Sequence, residues 1–228
     1  MPECSFFDHY KHMYEYSGNT ALFTKISIVT TLLLFFLGGF AFSNHRSHQS
    51  ELYALMLFAL CGGIILFGYQ NLVTMFLGVE ILSIPLYVMA GANKTDLRSN
   101  EASIKYFLMG AFASGIILFG IALVYGATGS FDTAEIYNIV RAESQKEWFF
   151  IGIVMLTIGF LFKIAAVPFH FWAPDVYEGS PALTTATMST LAKVVAIASF
   201  FKLMKALNYE VPGTYMTIIS IVIVLSMT

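Results

Sequence analysis

Polar and apolar positions alternate along this chain on the scale of whole helices. Apolar runs of membrane-spanning length are separated by short polar stretches. A helix needs about 20 apolar residues to cross a bilayer at ~1.5 Å rise per residue. The runs that approach this are Thr20–Phe42, Leu52–Gly68, Leu72–Ala92, Ile104–Tyr125, Trp148–Phe169, Ala182–Leu207 and Tyr215–Thr228. Residues 1–19 read as a polar, aromatic-rich loop, since they lack a basic start followed by an apolar core. The second and third runs meet at Tyr69-Gln70-Asn71, which predicts antiparallel neighbours. The last run is still apolar at Thr228, so the chain is expected to be a piece of a longer protein. Asp132 and Glu135 fit a capping box. Phe131, Ile136, Ile139 and Val140 follow at helical spacing, predicting a short amphipathic helix over 131–143 along the membrane surface.

Composition supports the same class. The chain is 57% hydrophobic and 11% charged, with mean hydropathy +0.74, whereas soluble domains carry roughly 25% charged residues. The expectation is an all-α, polytopic transmembrane bundle in contact with the lipid bilayer. The formal net charge of −2 comes with no basic tract, which argues against nucleic acid. Cys4 and Cys61 form no CxxC pair, and no GxGxxG or Walker loop is present. Neither a cofactor nor a metal site is therefore expected in this chain. The pairs His9/His12 and His45/His48 lie in polar loops without carboxylates and are a weak metal signal. Trp148, Trp172 and Tyr177 fit an interfacial aromatic belt.

Charges inside the apolar runs change the picture. On helical rise, Glu80 lies roughly 13 Å from the Gln70–Asn71 side, and Lys163 and Lys193 roughly 20 Å from it. A charge at the bilayer centre costs about 2.5 to 3.5 kcal/mol on insertion scales. Glu80 and Lys163 at similar depth can neutralise each other, which allows a purely structural ion pair. Lys193 then needs a second partner, and no other acid lies in mid-span. Two lysines in a low-dielectric interior can share protons instead of both remaining charged, which suits a proton path. Pro168 cannot donate to the carbonyl of Ile164, so a helix break is predicted one residue past Lys163. His170 follows the break and can carry protons or simply sit at the interface. Lys105 can snorkel or pair with Glu101 four residues earlier, and Asp175 and Glu178 read as solvated loop acids.

These residues carry a resemblance. GVEILSIPLY around Glu80, GFLFKIAAVPFHFWAPDVYEGSP around Lys163 and His170, and the following helix with Lys193 resemble the proton-conducting antiporter-like subunits of respiratory complex I. LSIPLY and DVYEGSP narrow the resemblance to one of the sister subunits. The fold it implies is a pair of inverted helical repeats, with Leu52–Leu207 as the first and a helix broken at Pro168. It also implies that Glu80 and Lys163 form the working ion pair, that Lys193 links half-channels, that Lys105 modulates the pair, and that His170 is the histidine of the broken helix on the proton path. NADH, FMN, iron–sulfur clusters and quinone would be used by other parts of the complex. The implied partners are other membrane subunits of complex I, and the implied location is the bacterial inner membrane, multi-pass. A subunit of a multisubunit cation/proton antiporter or a membrane-bound hydrogenase is the alternative. Loop charges lean towards a cytoplasmic N-terminus, whereas the resemblance implies the opposite orientation.

Overall fold

The computed structural model describes residues 13–41, 49–142, 146–207 and 213–227. Both histidine pairs reach into or lie within the stretches outside these residues. The described helices are α1 (Gly18–Ala41), α2 (Gln49–Gly68), α3 (Leu72–Ala90), α4 (Leu97–Thr128), α5 (Thr133–Ala142), α6 (Lys146–Ile164), α7 (Trp172–Gly179), α8 (Ala182–Ser189), α9 (Leu191–Leu207) and α10 (Gly213–Met227). Among the described residues, six stretches are long and apolar enough to cross a membrane: α1, α2, α3, α4, α6 and the α8–α9 pair. The expectation of an all-α membrane bundle is borne out.

The bundle is built on two antiparallel pairs, α2 with α3 and α4 with α6, joined through α3 and α4. The residues 69–71 that join α2 to α3 are held on both sides by backbone hydrogen bonds. Glu15 N–H reaches the Gly68 carbonyl at 2.7 Å and Gln70 N–H reaches Met13 at 3.0 Å, while Thr133 N–H reaches Gln70 at 2.9 Å. Polar backbone at the end of the bundle is thereby satisfied within the protein. Tyr69 beneath this junction is fully buried and donates to the Ser199 carbonyl at 3.1 Å. Burial pushes its phenol well above the ordinary range.

Start signals act where the sequence places them. Asn71 Oδ1 accepts from Val73 N–H at 2.8 Å and Asp96 Oδ1 from Arg98 N–H at 2.9 Å. At α5 the capping box is shared among three residues. Asp132 Oδ1 accepts from Ala134 and Glu135 N–H, while the Glu135 carboxylate takes the hydroxyl of Ser130 at 2.6 Å. Ile136 and Val140 of α5 are buried against the bundle.

α4 is 32 residues long. From Tyr106 to Thr128 alone the helix rises ~33 Å, already more than a hydrocarbon layer. Its first turns, with Arg98, Glu101 and Lys105, therefore extend to the polar edge. The Ala182–Leu207 segment is interrupted. Thr190 leaves the helix at φ −108°, ψ −77°, and its hydroxyl bonds back to the Ala186 carbonyl at 2.6 Å. Such local side-chain bonding competes with the helical ladder.

Apolar surface gains nothing by leaving lipid for another helix, so packing here depends on close approach. A methyl at Gly62 of α2 would overlap the Leu82 amide and lie 2.8 Å from the Ile81 carbonyl carbon of α3. Gly62→Ala should destabilise the purified protein in detergent by about 1 to 3 kcal/mol through overpacking. Gly126→Ala, where a methyl meets nothing within 4 Å, should leave the thermal midpoint unchanged or slightly raised. Thermal unfolding of the two variants side by side checks this.

A candidate ion-translocation site

The helix carrying Lys163 ends four residues before Pro168. Ala165 takes a left-handed conformation at φ 62°. Its N–H bonds to the Phe162 carbonyl at 3.0 Å, and Ala166 N–H bonds to Leu161 at 2.9 Å. These two bonds form a Schellman motif, with alanine in the position glycine usually fills, at a cost of roughly 1 to 2 kcal/mol. The motif leaves the carbonyls of Lys163 and Ile164 without helical donors. Lys193 of α9 supplies one donor for both: its Nζ lies 2.7 Å from the Ile164 oxygen and 3.4 Å from that of Lys163.

Lys193 thus caps the negative end of α6 with a positive charge. Aromatic faces complete its surroundings, with Nζ 5.1 Å from the Trp172 ring centre and 5.9 Å from that of Tyr177. Trp172 is placed for this from beneath the break. It is 5% exposed, donates to the Phe162 carbonyl at 3.2 Å, and stacks between Tyr106 and Phe162. Trp172 is accordingly a core residue and does not belong to an interfacial belt; Trp148 is exposed.

Glu80, Ser83 and Tyr87 occupy one face of α3 at successive turns. Lys163 Nζ donates to Ser83 Oγ at 3.1 Å and to Tyr87 OH at 2.9 Å. Glu80 and Lys163 form no ion pair here, and the Glu80 Oε1 atom is buried without a hydrogen-bond partner. A cavity of about 20 Å³ lies between Lys163, Ser83 and Tyr106 on one side and Ala192 and Ala196 of α9 on the other, which is room for one water.

Lys105 stands apart from this centre. It pairs with Glu101 at 2.7 Å and Asp175 of α7 at 2.8 Å, and its side chain is 44% exposed. Arg98 and Glu178 approach at 3.9 Å alongside. Asp175 and Glu178, read from sequence as solvated loop acids, are exposed, but they lie on α7 and face the cations of α4. His170 is exposed on the turn leading into α7, and only its carbonyl is engaged, by Ala173 N–H at 2.9 Å.

Ser83, Tyr87 and Lys202 escaped the sequence reading. The first two carried a signal, since they lie three and seven residues after Glu80 and therefore on its face. Lys202 sits nine residues after Lys193 within the same apolar run. It lies 5.0 Å from the Tyr69 ring centre and lines a cavity of about 360 Å³ with Glu15, Gln70 and Thr133.

An apolar bundle with interrupted helices and lysines gathered at an interruption is an architecture that membrane transporters share. The chain belongs to the NADH:quinone oxidoreductase/Mrp antiporter transmembrane family, whose model matches residues 69–228. NADH-quinone oxidoreductase subunit N of Flavobacterium johnsoniae is 49% identical over 227 residues, covering 96% of this chain and 49% of the relative. Subunit N of Cytophaga hutchinsonii is 47% identical over 218 residues, covering 94% and 47%. The chain thus spans about half the length of the curated relatives it matches. Among solved structures, a chain of respiratory complex I from Thermus thermophilus with bound aureothin is 35% identical. It has a TM-score of 0.70, with coverage of 83% of this chain and 40% of that one. A chain of an archaeal membrane-bound sulfane sulfur reductase shares the fold at TM-score 0.76 and 22% identity, covering 89% and 41%. The family resemblance carried by GVEILSIPLY and GFLFKIAAVPFHFWAPDVYEGSP is borne out.

The cap makes a stability prediction. Lys193→Met leaves the Lys163 and Ile164 carbonyls without their donor and should cost about 1 to 3 kcal/mol. Lys193→Gln keeps an N–H₂ donor and should cost less. Thermal unfolding of both variants in one detergent measures the difference.

Proposed function

We propose that this chain forms part of subunit N of a bacterial NADH:quinone oxidoreductase and translocates protons across the inner membrane. The observation that carries the reading is Lys163 and Lys193 converging on one helix break inside an apolar bundle, with the half-buried Glu80 one turn along α3 from the Ser83 that Lys163 meets. Flavin, iron–sulfur clusters and quinone would reside in other subunits, and this chain would contribute only the proton path. Glu80, Lys163 and Lys193 form its centre. Lys105, held in a surface ion cluster, and exposed His170 are proposed as its outer members. The other membrane subunits of the complex are the proposed partners. Co-purification with flavin and iron–sulfur subunits distinguishes this from an antiporter that works without redox chemistry.

In this reading Lys163 exchanges protons as its surroundings change, and Glu80 biases that exchange. Lys163→Ala should abolish quinone-coupled pumping in the assembled complex. Lys163→Arg keeps a donor for Ser83 and Tyr87 but stays protonated, so it should fail almost as badly. Glu80→Gln should reduce pumping while leaving assembly largely intact. Pyranine-reported proton uptake by vesicles at equal complex content is the measurement, and full pumping by the arginine variant would sink the reading.

A further inference from the structure

The Lys163 ammonium rests on two neutral hydroxyls while a buried carboxylate oxygen one turn away has no partner. This is an unequal arrangement. A cation in an apolar interior gains most from an anion, yet here it is held by Ser83 and Tyr87. Both hydroxyls are fixed by the fold. Ser83 is 3% exposed and Tyr87 is 5% exposed. The Tyr87 ring is held edge-on by Tyr106 at 4.7 Å and Phe107 at 5.9 Å. Gly110 of α4 leaves the space its phenol fills: a methyl there would overlap the Tyr87 hydroxyl. Glycine at this position is therefore required by the hydroxyl that meets Lys163.

We propose that Ser83 and Tyr87 form a second seat for the Lys163 ammonium, so that Lys163 alternates between these hydroxyls and the Glu80 carboxylate on the same face of α3. Along the helix, Ser83 lies ~4.5 Å and Tyr87 ~10.5 Å beyond Glu80, so the movement is a swing of one flexible side chain. Neither hydroxyl exchanges a proton in this step. They are positioning residues that hold the ammonium away from the carboxylate, next to the small cavity that opens towards α9. The proposal rests on the proton-translocating reading above. It adds what that reading lacks, a defined place for Lys163 when the ion pair is open.

The test uses the assembled complex carrying Ser83→Ala/Tyr87→Phe, with Tyr87→Phe alone as the milder variant that keeps the ring. Without the hydroxyls the ammonium stays on Glu80, and pumping should fall by about tenfold or more for each of the two hydrogen bonds to the charge that is lost. Infrared spectroscopy gives a readout that a packing role would not move. The carboxylate band removed by Glu80→Gln should shift in the double variant, because Glu80 has gained an ammonium partner. Tyr87→Phe should show the same shift in smaller amplitude. Pumping at the parental rate with an unmoved Glu80 band would overturn the second seat. Lys163→Ala measured in parallel separates the two ideas: if it pumps normally, the proton-translocating reading itself falls.

Discussion

One contact organises the centre of this molecule: the ammonium of Lys193 lies against the last two carbonyls of α6. A helix that stops inside an apolar bundle exposes carbonyls that neither lipid nor apolar side chains can satisfy. Here the neighbouring helix closes the end with a charged donor, and the partial negative charge of the helix terminus gives that charge a counterpart. The two lysines are therefore linked through backbone. Lys193 holds the peptide group of the residue whose side chain reaches Ser83 and Tyr87. A change at either lysine is felt by the other without direct contact between their ammonium groups.

Around this contact the fold divides its tasks. α3 presents a row of oxygen-bearing side chains, and α6 and α9 bring the lysines to it. α4 packs along α6 and α3 and supplies Gly110 and Tyr106 to the same region. Trp172 fills the space that the break opens. Where α7 leaves the break, Asp175 and Glu178 meet Lys105 and Arg98 at the polar end of α4. That ion cluster is exposed, so its energetic weight is small, but it fixes where the chain re-enters the bundle.

Much of this was legible in the residues themselves. Run lengths and charge content marked the helices, and Pro168 marked the break together with the stranded Ile164 carbonyl. The order of the break was harder to read. Ala165, in place of the expected glycine, ends α6 before the proline is reached, and nothing in its side chain announces a left-handed conformation. Thr190 looked like one more residue in an apolar span because back-bonding by a hydroxyl leaves no periodic trace. Glu80 and Lys163 invited pairing since depth was all that sequence offered; the hydroxyls that hold Lys163 become visible only when α3 is viewed down its axis. Asp175 and Trp172 were read from their loop position, but burial and partners depend on where α7 folds back, a long-range matter that no local pattern encodes.

Exposed carbonyls at the end of an interrupted helix are the coordination that membrane transporters offer to alkali cations. In this protein that coordination is already taken by a cation covalently tethered to α9, with the rings of Trp172 and Tyr177 closing over it. A tethered ion cannot be released to either side of the membrane. At this helix end a tethered ammonium occupies the place that a free alkali cation would take, and in the proton-translocating reading proposed above it would exchange the proton on its nitrogen.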